Sequence, residues 1–173
     1  MSTSGPGIAT APTRKQRLAR LLAAGFGAGL APVAPGTAGS LVGLALGAIL
    51  LHAAPILLLA GTLAATYSGL WAIRAATGLP WQSTNQEVHK DPSWIVIDEI
   101  AGQMLALLAL HRPTLLGLAA AFALFRLFDI AKPGPIGWAD RQPGAAGIMA
   151  DDLLAGTAAA LLLLLTRALG LPL

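Results

Sequence analysis

Long runs of Leu and Ala, separated by short polar stretches, make up most of this sequence. Apolar residues account for 55% of the 173 residues, and only 11% of the residues are charged, against about 25% in soluble domains. The runs lack the short alternating pattern of soluble β-strands. Lipid is therefore the solvent around this chain, and the predicted fold class is all-α: a polytopic membrane helical bundle.

Five apolar segments predict the helices of this bundle, at residues 40–52, 55–73, 95–110, 114–130 and 153–169. Several are shorter than the ~20 residues that cross a typical hydrocarbon core. The first is the weakest, and the sequence leaves open whether it spans fully or is the first half of a kinked helix that continues past Pro55.

The N-terminal part of the chain has a different character. Residues 1–13 are rich in Ser, Thr, Gly and Pro, which predicts a disordered tail, and residues 14–173 then form a single membrane-embedded domain. Arginines alternate with leucines over residues 14–24, a pattern typical of an interfacial amphipathic helix. The Gly- and Pro-rich residues 25–40 are interpreted as a loop.

The basic residues predict an orientation in the membrane. If all five segments cross and the N-terminus is inside, nine of the 11 Lys and Arg residues lie in the cytoplasm and only Arg112 and Arg167 lie outside. If residues 40–63 formed a single span without a second crossing there, the 11 basic residues would be divided 6 to 5 between the two sides of the membrane. The positive-inside rule favours the first topology, which also puts all eight acidic residues on the cytoplasmic side.

Acidic side chains recur where apolar segments begin or end, at the same predicted membrane depth. Carboxylates this close repel one another and are costly near lipid, and a divalent cation relieves that conflict. Oxygen ligands favour Mg²⁺, or Mn²⁺, over zinc. Glycines one turn after each acidic pair, Gly102 and Gly156, suggest a pseudo-repeat that clasps one or two metals. The candidate catalytic residues and metal ligands are Asp98, Glu99, Asp129, Asp151 and Asp152.

Two cations next to Asp129 are candidates for binding a phosphate. Arg126 shares a helix face with Asp129 and offers a planar fork to a phosphoryl group, whereas Lys132 offers a point charge. The loop before the first segment adds backbone N–H groups and hydroxyls at a helix N-terminus, where anions bind. Its candidate substrate-binding residues are Gly36, Thr37, Gly39 and Ser40.

Each feature alone has a simpler explanation. Acids are stabilised at helix N-termini, cations anchor cytoplasmic ends, and a Gly/Pro loop before a helix often serves only as a cap and turn. The combination on one face of so charge-poor a chain favours a site. The chain contains no cysteine, which excludes a thiolate nucleophile. The net charge of +3 suits anionic lipid headgroups better than nucleic acid, which requires a denser basic patch.

Four stretches in order resemble the phosphatidylglycerophosphatase A family of bacterial membrane lipid phosphatases: GFGAGLAPVAPGTAGS, DPSWIVIDEIAGQ, FRLFDIAKPGPIGWAD and PGAAGIMADDLLAG. The resemblance covers residues 25–160. It implies Mg²⁺-dependent hydrolysis of the terminal phosphomonoester of phosphatidylglycerophosphate, a phospholipid substrate, at the cytoplasmic side of the bacterial inner membrane. One departure is visible: the family's Gly-Gly-x-Gly run is here Gly144-Ala145-Ala146-Gly147.

Within that resemblance, Asp98, Asp151 and Asp152 are expected to ligate metal, with Glu99 as a ligand or general base. Asp129 is a further ligand or orients Arg126. The nucleophile is either water or a carboxylate that forms an aspartyl-phosphate.

The alternatives to a phosphatase are a CDP-alcohol phosphatidyltransferase and a small membrane ion carrier. A CDP-alcohol phosphatidyltransferase needs Asp-Gly-x-x-Ala-Arg followed by Asp-x-x-x-Asp, and neither pattern occurs. A small membrane ion carrier would need acids near mid-membrane, whereas these lie at one end. Both alternatives are therefore disfavoured.

Overall fold

The computed structural model describes residues 12–79 and 92–170, and it is helical throughout its ordered elements, with no β-strand in those two ranges. The all-α prediction is therefore confirmed. A short 3₁₀ helix, Gly25–Leu30, follows the first α-helix. The α-helices are α1 Arg14–Ala23, α2 Pro35–Ala53, α3 Pro55–Thr77, α4 Ile97–Leu107, α5 Leu115–Ala131, α6 Pro135–Asp140 and α7 Ala145–Ala168.

Three of these helices, α2, α3 and α7, are long and apolar enough to cross a membrane. The five predicted segments each contain a helix, but five full spans are not confirmed. The 11 residues of α4 extend about 16 Å and the 17 residues of α5 about 26 Å, both less than the ~30 Å hydrocarbon core.

The shortest of these five helices, α4, is also the best buried. Nine of its 11 residues are buried, because α2, α3, α5 and α7 all pack against it. Lipid therefore does not contact most of α4, and its side chains need not be apolar. This placement allows a helix with two acids in its first turn to lie inside a bundle of apolar helices.

The loop predicted over residues 25–40 is partly wrong, since α2 already begins at Pro35. Proline at the first helical position has the φ angle that a helix requires and no N–H to lose. At the other end, Ala54 is extended and Pro55 starts α3. The kinked-helix alternative is therefore excluded: residues 35–77 form two helices joined at one extended residue.

The last helix, α7, starts eight residues before the predicted segment, at Ala145. Gly144 precedes it with φ 90° and ψ −179°, a conformation available essentially to glycine alone. Ala145 itself is helical and fully buried, so the departure from the Gly-Gly-x-Gly run falls where alanine fits. Asp151 and Asp152 consequently lie nearly two turns inside α7 rather than at its head.

A helix, α1, is present where an interfacial helix was predicted over residues 14–24. Thr13 caps it through a reciprocal pair of hydrogen bonds with Gln16, an arrangement that satisfies the otherwise unpaired N–H groups of a helix start. The backbone N–H of Val96 donates a 2.9 Å hydrogen bond to the carbonyl oxygen of Ala23, which joins the end of α1 to the residue before α4. Of the tail predicted at 1–13, residues 1–11 lie outside the described residues.

Candidate metal and phosphate site

Three acids from two helices form a compact cluster. Asp98 and Glu99 occupy the first turn of α4, and Asp152 lies on α7. Each residue offers a carboxylate oxygen, and the three oxygens lie within 4.8 Å of one another. The helices can approach this closely because Gly102 has no Cβ atom. A Cβ atom at this position would lie only 2.5 Å from the Asp152 carbonyl oxygen. The glycines of the predicted pseudo-repeat thus bring the acids together.

Two oxygens of this cluster lack a partner among residues 12–79 and 92–170. Glu99 Oε2 and Asp152 Oδ1 are buried and accept no hydrogen bond from these residues, while Asp98 and Asp152 are almost fully inaccessible. Buried carboxylates without a counter-charge are strongly unfavourable. A bound divalent cation would satisfy both oxygens, and the all-oxygen ligand set fits a hard cation. The described residues therefore fit a metal ion at this position.

Asp129, at the end of α5, extends the cluster. Its carboxylate forms an ion pair with Arg126 one turn earlier on the same helix. Arg126 in turn donates a 3.3 Å hydrogen bond from Nη1 to Ser40 Oγ. The Arg126 guanidinium is thereby held between the start of α2 and the carboxylates.

The four candidate residues at the start of α2 occupy different surroundings. A Cβ atom at Gly36 would collide with Glu99 Oε1 and lie 3.5 Å from Arg126 Nη1, so Gly36 borders the cluster. Ser40 contacts Arg126 and donates a 2.8 Å hydrogen bond to the Gly36 carbonyl oxygen. Gly39 instead faces Val96, at 2.7 Å from its would-be Cβ. Thr37 is half-buried.

Lys132 lies on the other side of the site, as the residue that ends α5. It adopts the left-handed conformation, with φ 45° and ψ 52°, which is uncommon outside glycine. Its Nζ lies 2.8 Å from Asp151 Oδ2 and also pairs with Asp140. Burial acts to lower the pKa of this ammonium, but the hydrogen bonds and charges of the two acids outweigh burial and raise the pKa. Lys132 is therefore a permanent cation beside the cluster.

The predicted acids separate into three groups. Asp98, Glu99 and Asp152 face one another, Asp129 pairs with Arg126, and Asp151 pairs with Lys132. Nine of the 11 candidate residues, all but Thr37 and Gly39, therefore adjoin one end of the bundle.

Two residues of this region were not predicted. Asp140, on α6, pairs with Lys132; its sequence position near Pro135 gave no sign of that contact. Gln103 is fully buried in α4, one turn below Glu99, and its amide has no hydrogen-bond partner among the described residues. A polar amide inside an apolar stretch was the available sequence signal for Gln103.

A comparison with family models identifies relatives of nearly the whole chain. The family model for Phosphatidylglycerophosphatase A matches residues 21–167. This match includes every residue of the cluster and both of the neighbouring cations.

Three curated relatives are similar over most of their length. A Haemophilus influenzae protein named phosphatidylglycerophosphatase A is 41% identical, covering 78% of this chain and 80% of its own. An Escherichia coli protein of the same name is 35% identical, and the match covers 81% of this chain and 78% of that protein. A Bacteroides thetaiotaomicron protein, named as a candidate phosphatidylinositol-3-phosphatase, is 36% identical, and the match covers 85% of this chain and 92% of that protein. No solved structure gives a significant match.

Proposed function

Since this chain belongs to the phosphatidylglycerophosphatase A family, we propose that its acidic cluster is a Mg²⁺ site and that the adjoining cations bind the phosphate. The chain is a phosphoric monoester hydrolase that converts phosphatidylglycerophosphate to phosphatidylglycerol and phosphate. Its apolar helices make it a membrane protein. The proposal concerns the metal, the residue roles and the side of the membrane.

The observation that carries the proposal is the pair of buried, unpartnered oxygens in a three-carboxylate cluster. Asp98, Glu99 and Asp152 would hold the cation. When bound, Mg²⁺ supplies positive charge to the phosphoryl oxygens and lowers the pKa of a bound water. Asp129 would be a further ligand or would orient Arg126, with which it forms an ion pair.

Arg126 and Lys132 would bind the phosphate oxygens from two sides. A phosphomonoester dianion requires cationic groups around the transferred phosphoryl. Asp129 and Ser40 fix the direction of the Arg126 guanidinium, and Asp140 and Asp151 do the same for the Lys132 ammonium. An incoming phosphate would replace these carboxylates as the hydrogen-bond acceptor of the Arg126 guanidinium and the Lys132 ammonium.

Glu99 is the residue we assign as general base. It is the least buried of the three clustered acids, and a carboxylate that binds the cation through Oε2 keeps its second oxygen to accept a proton. In this scheme a water attacks phosphorus, Glu99 accepts its proton, and the bond between phosphorus and the glycerol oxygen breaks. The departing glycerol oxygen then takes up a proton and becomes the hydroxyl of phosphatidylglycerol.

The bacterial inner membrane, with the site on the cytoplasmic side, is the proposed location. The support is the distribution of basic residues, nine of 11 on the site-bearing side of the predicted topology. Contacts at the site agree with an alternating helix order, because the starts of α2, α4 and α7 meet the end of α5 there.

Phosphate release from phosphatidylglycerophosphate by the purified protein tests the proposal. Activity should require added Mg²⁺, be lost on chelation and be restored by excess Mg²⁺. Asp98→Asn should lower activity by orders of magnitude and raise the Mg²⁺ concentration that the remaining activity needs, whereas Asp140→Asn, which alters an acid outside the three-residue cluster, should leave the Mg²⁺ requirement unchanged. Full activity after exhaustive chelation would exclude the metal site.

A second lipid belongs in the same assay. One relative is named for phosphatidylinositol 3-phosphate, which also carries a phosphomonoester on a diacyl lipid. We expect the present chain to prefer phosphatidylglycerophosphate, because two of the three relatives carry that name. A higher kcat/KM for phosphatidylinositol 3-phosphate would reverse this assignment.

A further inference from the structure

An apolar groove of about 360 Å³ runs along α7 away from the site, between α7, the end of α5 and α6. We call it the α5–α7 groove; its walls include Phe128, Pro133, Ile136, Leu154, Ala158 and Leu161. The volume falls within the ~300–1,000 Å³ typical of small-molecule sites.

Apolar groups form almost all of the groove surface. Thr157 contributes the only side-chain hydroxyl among its lining residues, and that hydroxyl donates a 2.7 Å hydrogen bond to the Leu153 carbonyl oxygen. The groove thus has no side-chain polar group in need of a partner. A hydrocarbon chain suits this surface, whereas a headgroup or a peptide backbone would lose hydrogen bonds there.

The groove begins where the phosphate-binding side chains are attached. Phe128 directly precedes Asp129, Pro133 directly follows Lys132, and Leu154 lies one turn after Asp151 on α7. From Asp151 the helix continues for ten residues to Leu161, about 15 Å along its axis. A molecule with its phosphate at Lys132 would therefore have its apolar part in line with the groove.

We propose that the α5–α7 groove binds an acyl chain of the phospholipid substrate while the headgroup phosphate contacts Arg126 and Lys132. This inference rests on the proposed phosphate site, which fixes the headgroup end of the lipid. The lipid enters sideways from the bilayer, and its glycerol backbone lies near Pro133. The groove then favours a diacyl phosphate over a soluble phosphomonoester with the same headgroup.

Photo-crosslinking in vesicles tests this directly, without turnover. Wild-type protein is reconstituted with phosphatidylglycerophosphate that carries a diazirine near the end of one acyl chain, and in parallel with phosphatidylcholine that carries the same group. The adducts are then mapped by mass spectrometry. We expect the phosphatidylglycerophosphate probe to label groove residues more than the choline probe does, with equal labelling on α3. Equal labelling of the groove by both probes would overturn the proposal.

A substitution that fills the groove provides a second test of the proposal. Leu161→Trp places a bulky side chain in the groove at a position that is 63% exposed, and Leu63→Trp is the matched control on α3, at 47% exposure. Leu161→Trp should raise KM for the long-chain lipid about tenfold, as expected when about two methylene groups lose their apolar contacts. KM for a dibutanoyl analogue should not change. Equal effects on the two substrates, or equal effects of the two variants, would count against the groove.

The two proposals fail in different ways. A groove that is labelled specifically in a protein that releases no phosphate would leave lipid binding intact and refute the catalytic assignment. An active enzyme with no specific labelling would leave the metal and phosphate site intact and refute the groove.

Discussion

Gly102 of α4 and Gly156 of α7 pack against each other so closely that a Cβ atom on Gly156 would collide with the Gly102 carbonyl oxygen. The two helices that carry the acidic cluster are thus in backbone contact just below it. Residues without side chains at this crossing set the distance between Asp98 and Asp152. On the proposed assignment of the cluster, catalytic geometry depends on two glycines that have no reactive group of their own.

Gly156→Ala should therefore impair the enzyme without any change to a charged residue. Inserting a methyl group into close-packed backbone costs about 1–3 kcal/mol, and moving α7 would separate Asp152 from Asp98. We expect a loss of at least about tenfold in kcat and weaker activation by Mg²⁺, measured by phosphate release. Gly61→Ala is the control, since its Cβ would meet only the flexible ends of Leu50 and Met104. Equal activity of the two variants would contradict this role.

The acids should differ in what their loss affects. Asp98→Asn and Asp152→Asn are expected to lower kcat by orders of magnitude and raise the Mg²⁺ concentration needed for activity, because both residues belong to the cluster. Asp151→Asn removes the partner of Lys132 and should mainly raise KM for the lipid. Titrations with Mg²⁺ at fixed substrate separate the two effects. Near-native activity of the Asp98 and Asp152 variants would refute the metal assignment.

Arg126→Lys distinguishes phosphate recognition from simple membrane anchoring. Lysine keeps the charge but loses the planar fork that binds two oxygens. Loss of one charged hydrogen bond costs about 1.5–3 kcal/mol, so kcat/KM should fall roughly tenfold to a hundredfold with membrane insertion unchanged. Arg112→Lys, at the far end of the bundle, should behave as wild type. Activity within about twofold of wild type for Arg126→Lys would leave it as an anchoring residue.

Ser40→Ala is a milder test of how Arg126 is held. The Ser40 hydroxyl accepts a 3.3 Å hydrogen bond from the guanidinium, and a typical hydrogen bond contributes about 1 kcal/mol. We expect KM to rise by about fivefold with little change in kcat. Ser68→Ala is the control, because Ser68 bonds only to carbonyl oxygens of its own helix. A change in kcat alone would point to a different role for Ser40.

The orientation can be measured with single cysteines, since the natural chain contains none. Lys15→Cys lies at the site end and Arg112→Cys at the opposite end, and both positions are exposed. An impermeant thiol reagent should label position 112 in intact cells and position 15 only after permeabilisation. The reverse pattern would place the site outside the cytoplasm.

Much of the fold was accessible from the sequence because its signals are local. Leu-rich runs predict helices through the cost of exposing backbone to lipid, and the pair Asp98 and Glu99 lies at the predicted helix start. The two helix starts at Pro35 and Ala145 were missed because Gly- and Pro-rich residues were interpreted as loop. Those residues enter helices here because neighbouring helices approach them closely, which is a property of the packed bundle.

The pairing of the site residues was not accessible in the same way. Asp98 and Glu99 are adjacent to each other in sequence, but Asp152 joins them only through the α4–α7 crossing. The contact between Lys132 and Asp140 depends on the turn at Gly134, where φ is 50°. Long-range contacts of this kind follow from chain geometry that residue patterns do not encode.

The hydrogen bond between Val96 and Ala23 joins an amphipathic helix to the entrance of the acid-bearing one. The polarity of an amphipathic helix sets its depth in a bilayer. Because Val96 is bonded to the end of α1, the depth of α1 would also set the depth of Asp98, two residues after Val96. On the proposed site assignment, this is also the depth of the lipid headgroups and their phosphates. Hydrolysis would then proceed with the acyl chains still in the bilayer, without the free-energy cost of moving hydrocarbon into water.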